Sequence, residues 1–189
     1  MRILGINCMN HDAAMAVVDY SSGIGEVLWA AHAERYSKVK NDHYLNQAIV
    51  NEAMMHGPFD KVVYYEKPWL KKTRQLYAGQ WADALSYTEL PQWHLSNFGI
   101  KIDEYVKHHD SHAAAGYFTS PFREATILTV DAIGEWDTVS ISTAEKIWIE
   151  RKETIKYPHS IGILYSAFTH RCGLKPAEEE YILMGMAAY

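Results

Sequence analysis

The residues best suited to chemistry are His108-His109-Asp110-Ser111-His112, with Asp131 a short run downstream. His108 and His112 are four apart, so a helical turn would set both rings on one face. Two imidazoles on one face, joined by a carboxylate at the end of the next strand, make a ligand set for a divalent metal. Histidines near a helix start also cap it or bond to water. His-x-x-x-His is a common pattern, and spacing alone leaves both uses open.

Two other stretches offer chemistry. Residues 7–12 bring Asn7, His11 and Asp12 to a polar turn with small neighbours, Ala13 and Ala14. His11 there could act as a general acid or base beside a phosphate-facing loop, although Asn, His and Asp are also ordinary turn formers. Residues 131–136 (DAIGEW) put Asp131, Gly134 and Glu135 into a second acidic turn. Backbone N–H groups of such turns bind phosphate oxygens, and their carboxylates hold a metal that neutralises the phosphate. Residues 34–40 (ERYSKVK) read as a solvated charged face, from which Lys40 could reach an anionic substrate. Cys8 and Cys172 have no Cys-x-x-Cys partner, so neither a cysteine zinc site nor a disulfide framework is implied, and a reducing cytoplasm is the default compartment.

The elements that must position these residues follow from periodicity. Residues 3–7 are a short apolar strand, 13–19 a second and 26–32 a third, a meander whose short connections make it antiparallel. Residues 45–56 show helical spacing and stop at Gly57-Pro58. Residues 61–65 are a strand, and 69–87 a long amphipathic helix with Gly79 its weak point. Residues 91–99 read as irregular, and 103–107 as a short strand entering the histidine cluster. Asp110 or Ser111 would cap the helix that follows. The pattern then restarts: strands at 125–131, 137–143 and 146–152, a turn over 132–136, and a helix over 160–172 closed by Gly173. Strand, acidic turn, strand, turn, strand, helix therefore occurs twice. That order predicts a mixed α/β fold of the ribonuclease-H-like, actin-like ATPase kind, in which two lobes clamp a nucleotide. The first lobe would span 1–122 with a helical insert, and the second would begin at 123–189.

Bulk properties narrow the function. A net charge of −5 without a Lys/Arg stripe argues against a nucleic-acid partner. No apolar run approaches a membrane span, and the N-terminus turns polar too soon for a signal peptide. The final residues, 181–189, stay apolar to the end, where C-termini usually trail into polar residues. This predicts a chain that stops within a domain and self-associates through exposed apolar surface.

Five ordered stretches resemble the N-terminal part of the O-carbamoyltransferases that modify antibiotics and nodulation factors. They are residues 4–14 (LGINCMNHDAA), 33–42 (AERYSKVKND), 108–122 (HHDSHAAAGYFTSPF), 128–136 (LTVDAIGEW) and 157–189. The resemblance implies an actin-like fold and a reaction in which carbamoyl phosphate and ATP give a carbamoyl-adenylate, whose carbamoyl group passes to a small-molecule hydroxyl acceptor. It implies His108, His112 and Asp131 as ligands of iron or another divalent metal. It also implies His11 in acid/base work on the acceptor and Lys40 near the carbamoyl group. One departure is Ile182, where the family often has lysine. The resemblance further implies that a missing C-terminal portion, or a complementary chain, carries the rest of the site, so that this polypeptide alone would not transfer carbamoyl. Two other readings are a non-catalytic nucleotide- or metal-binding module or split subunit of the same fold, and a sugar kinase, which would not need the paired histidines.

Overall fold

The computed structural model describes residues 1–10 and 12–188. It opens on the expected meander, β1 (Arg2–Asn7), β2 (Ala14–Asp19) and β3 (Glu26–His32), with antiparallel pairing throughout. Next come a single-turn helix α1 (Glu34–Ser37), helix α2 (Gln47–Met54) and strand β4 (Lys61–Tyr64). Helices α3 (Pro68–Tyr77), α4 (Trp81–Leu85) and α5 (Pro91–Ser96) lead to a two-residue strand, β5 (Glu104–Tyr105). Helix α6 (His108–Phe118) precedes a second meander, β6 (Glu124–Gly134), β7 (Asp137–Glu145) and β8 (Trp148–Lys156), followed by α7 (Ile161–Arg171) and α8 (Glu180–Met186).

The first sheet has the order β3-β2-β1-β4-β5, with β4 parallel to β1 and β5 parallel to β4. The second is β6-β7-β8, antiparallel. An antiparallel meander extended by parallel strands beside its first strand is the ribonuclease-H-like order, and the second meander repeats its opening. This is the duplicated, actin-like mixed α/β architecture expected from the element order. The chain forms two compact units, Met1–Ser111 and His112–Tyr189, and the division falls inside α6, ahead of residue 122.

The first unit has a dense apolar core. β1 lies between two strands and contributes Leu4 and Ile6, β2 contributes Met15 and Val17, and α2 lays Ile49, Val50 and Ala53 against them. Tyr64, Leu95, Ile100 and Ile102 belong to the same cluster. Burying one such side chain stabilises the fold by about 1.5–3 kcal/mol. Asn46 starts α2, its Oδ1 accepting the N–H groups of Ala48 (3.0 Å) and Ile49 (3.2 Å).

Several expectations need correction. The helix over 69–87 is two helices, because Gly79 takes a left-handed φ of +76° between α3 and α4. Lys72 Nζ secures the second piece by donating to the carbonyls of Asp83, Ala84 and Ser86. Residues 91–99 are not irregular: Pro91 opens α5, which buries His94 and Leu95. Six residues are too few for periodicity to register. The strand entering the histidine cluster shrinks to the two residues that pair with β4. Among the described residues, no helix is long and apolar enough to cross a membrane.

Candidate metal centre and surrounding residues

Helix α6 begins at His108 itself, so neither Asp110 nor Ser111 caps it. Ser111 lies within the first turns, where its hydroxyl donates to the carbonyl of Tyr65 (2.8 Å) just past β4. That bond competes with a capping role and ties the helix to the strand. Ala113-Ala114-Ala115 then propagate the helix at no cost in side-chain entropy, and Asp110 in the first turn suits the positive end of the helix dipole.

Because α6 is continuous, His108 and His112 stand one turn apart. His112 Nε2 lies 3.7 Å from Asp131 Oδ2, within the second unit. His108 joins through the helix, and one ligand atom from each of the three residues lies within 4.8 Å of the others. His109, between them, is 1% exposed and belongs to the interior. The His112 side chain is 54% exposed and Asp131 26%, so the group opens to solvent on one side. Two imidazoles, one carboxylate and an open side suit a divalent cation that also binds a small ligand.

Asp131 owes its position to an irregularity in the sheet. The β6–β7 register jumps from Val130↔Val139 to Gly134↔Asp137, leaving residues 131–133 bulged opposite Thr138. A bulge re-aims side chains at the point where the ladder is interrupted. Asp131 was expected at a strand end, with a turn over 132–136. Instead the strand runs on to Gly134, and Glu135-Trp136 form the turn. Asp131 Oδ1 accepts the N–H of Ala132 (2.6 Å), leaving Oδ2 toward His112.

The sequence reading did not single out Glu66 or Lys71. Glu66, just beyond β4, is 4% exposed. Its Oε2 lies 3.4 Å from His108 Nδ1, and Lys71 Nζ donates to its Oε1 at 3.0 Å. Burial alone would raise the Glu66 carboxyl, but the His108 bond and the Lys71 ammonium outweigh it and hold it below the usual carboxylate value. A carboxylate on Nδ1 fixes the ring and leaves Nε2 to act as a ligand. The sequence signal was an acid at the end of the parallel strand adjoining β1. A lone glutamate becomes meaningful there only once β4 is known to neighbour β1.

Residues of the first turn also converge. Asn7 ends β1, and its Nδ2 donates to the Asp12 carbonyl (3.1 Å). The N–H groups of Met9 and Ala13 donate to the carbonyls of His43 and Asp42, both at 2.7 Å, drawing the loop that carries Lys40 against this turn. Met9, Asp12, Lys38 and Asn41 all take positive φ in these two segments. Such backbone is costly for non-glycine residues and concentrates at functional sites. Lys40 is exposed. His11 lies outside the described residues. In the second unit, Gly134 is buried where it pairs with Asp137, and Glu135 follows it at φ +62° with only 4% exposure. Nearby, Asp137 and Arg151 form a short, largely buried ion pair.

Fold and site together define a duplicated ribonuclease-H-like protein with a candidate His-His-Asp cluster drawn from the helix before its second meander and from the first strand of that meander. Residues 98–189 match the family model described as the carbamoyltransferase N-terminus. A functionally uncharacterised protein of Synechocystis sp. is 32% identical over 215 aligned residues, covering 99% of this chain and 34% of that protein. Nodulation protein NolNO of Sinorhizobium fredii is 23% identical, covering 97% of this chain and 28% of its own length. A solved Aquifex aeolicus PPX-GPPA enzyme aligns with a TM-score of 0.44 and 12% identity, covering 96% of this chain and 59% of that one. The chain spans about a third of the length of the curated relatives it matches from end to end.

Proposed function

We propose that this chain is the N-terminal part of an ATP-dependent O-carbamoyltransferase, which moves a carbamoyl group from carbamoyl phosphate, through a carbamoyl-adenylate, to a hydroxyl of a small cytoplasmic acceptor. The observation that carries the reading is the His108–His112–Asp131 cluster inside the segment that matches the family. Its donor set fits a divalent metal, iron among them. When bound, the metal supplies Lewis acidity and a counter-charge for a phosphate. His108, His112 and Asp131 Oδ2 would hold the metal, with Glu66 keeping the His108 ring oriented.

The first turn supplies the other half of the proposal. Asn7 and Asp12 shape a loop whose backbone N–H groups suit phosphate oxygens, and Gly134 and Glu135 hold the matching turn of the second unit. Lys40, on the loop bonded to the first turn, would bring a positive charge toward the oxyanion that develops on the carbamoyl oxygen. His11 takes the proton of the acceptor hydroxyl.

The test combines radiolabelled carbamoyl phosphate, ATP and a hydroxyl acceptor with this chain, alone and with the downstream two-thirds of a relative supplied separately. Transfer only in the mixture supports the proposal. Turnover by the 189-residue chain alone contradicts its role as one part of the enzyme. Absence of transfer in the mixture, together with divalent metal content unaffected by His112→Ala, overturns the family reading of the site.

A further inference from the structure

The bulge at residues 131–133 takes the Ala132 peptide groups out of the β6–β7 ladder, and such groups must find other partners. The Ala132 N–H goes to Asp131 Oδ1 (2.6 Å), and the Ala132 carbonyl accepts from the Ser160 hydroxyl (2.6 Å). Ser160 is also the N-cap of α7, its oxygen accepting the Ile163 N–H at 3.0 Å. The first turn of α7 is thereby clamped onto the bulge. Gly162 stands at the point of closest approach. A Cβ there would lie 2.6 Å from Ala132 Cα, 2.7 Å from Ala132 N and 2.9 Å from Asp131 C, all backbone atoms. No rotamer change relieves such a clash. Either the Asp131–Ala132 peptide moves or α7 does.

The geometry points to Gly162 as a positioning residue for Asp131. By having no side chain, it lets α7 press on the bulge and fix the peptide whose N–H orients the Asp131 carboxylate toward His112. Ser160 completes the clamp from the neighbouring cap. The consequence for a metal rests on reading Asp131 as a ligand. The positioning itself can be read without any ion.

Gly162→Ala, Ser160→Ala and Gly173→Ala are compared with the parent chain. Gly173 has φ +78° and open space around its Cβ position, so alanine there strains the other end of the same helix without touching Asp131. The metal-free readout is the Ala132 amide proton, which lies downfield while bonded to Asp131 Oδ1. Gly162→Ala should move it upfield and hasten its exchange, Ser160→Ala should do the same to a smaller extent, and Gly173→Ala should leave it in place. The second readout is Co2+ binding, which should weaken about tenfold or more in Gly162→Ala, the range found for residues that orient metal ligands. An unmoved Ala132 amide in both Gly162→Ala and Ser160→Ala overturns the inference, and so does an equal shift in Gly173→Ala. If Gly162→Ala does not fold, Ser160→Ala decides. A shifted amide in a parent chain that binds no Co2+ sustains the positioning role and refutes only the metal reading.

Discussion

The two units each contain a three-strand meander but are stabilised in different ways. In the first, β1 has partners on both edges and its apolar residues join a continuous core with α2, Leu95 and Ile102. In the second, β6 is paired with β7, and the buried positions of β7 include Thr138, Ser140 and Ser142. Leu128 and Val130 on β6, and Ile161, Leu164 and Phe168 on α7, are exposed. The same local pattern thus yields a continuous apolar core in one unit and, on β7 of the other, buried Thr138, Ser140 and Ser142 beside Val139 and Ala144. Strand pattern specifies the meander, whereas neighbouring elements decide what each face buries.

The largest expected difference tests that contrast directly. Leu4→Ala removes a side chain with no exposure and should destabilise the first unit by about 2–5 kcal/mol in denaturant titrations. Leu128→Ala, on a residue 64% exposed, should stay within about 0.5 kcal/mol. Equal losses would refute the description of two unlike interiors. Next in size is the effect of Glu66 on His108 at the proposed metal site. Glu66→Gln keeps the shape but weakens the hold on His108 Nδ1, and should lower Co2+ affinity by about 10–100-fold in titration calorimetry. Unchanged affinity would detach Glu66 from the site.

A smaller effect comes from helix starts, one in each unit. Asn46→Ala and Ser160→Ala each remove a cap and should cost about 1 kcal/mol of stability. Only the second should also disturb the Ala132 amide, because only Ser160 bonds to the bulge. The smallest effect near neutral pH is an alkaline one confined to the first unit. Burial pushes the Cys8 thiol up to about 12 from 9.0, and burial followed by the bond to Glu52 pushes Tyr36 up to about 12 from 10.0. Both groups hold their protons more tightly when folded, so their contribution is complete below pH 9 and is lost between about pH 9 and 12. Amide exchange at β1 and β2 should accelerate over that range before exchange at β7 does. In the same samples, iodoacetamide at pH 8 should modify exposed Cys172 and spare buried Cys8. Labelling of both cysteines at one rate would show that the core of the first unit does not shield Cys8.

Much of the fold was legible because period-2 and period-3.6 patterns act over a few residues. The three strands of each meander, the α2 helix with its stop at Gly57 and the helix beginning after Ser160 follow from local patterning alone. The failures occurred where local signals are short or conflict. α5 has six residues, Gly79 divides one amphipathic stretch into two helices, and the two-residue strand β5 exists only through its pairing with β4. The site was legible as residue types. His108 and His112 share a helix face by spacing, and an acidic residue follows on the next strand.

By itself, the sequence determined a repeated meander, a His-x-x-x-His helix and the resemblance to carbamoyltransferases, because each depends on order and spacing along the chain. Tertiary structure decided that helix α6 starts at His108, that a bulge rather than a strand end presents Asp131, and that Glu66 backs the first histidine. It also decided that a glycine on α7 touches the Asp131–Ala132 peptide. The physical reason is common to all of these. Each depends on which residues far apart in sequence meet once strands and helices have packed, and no short-range pattern encodes that.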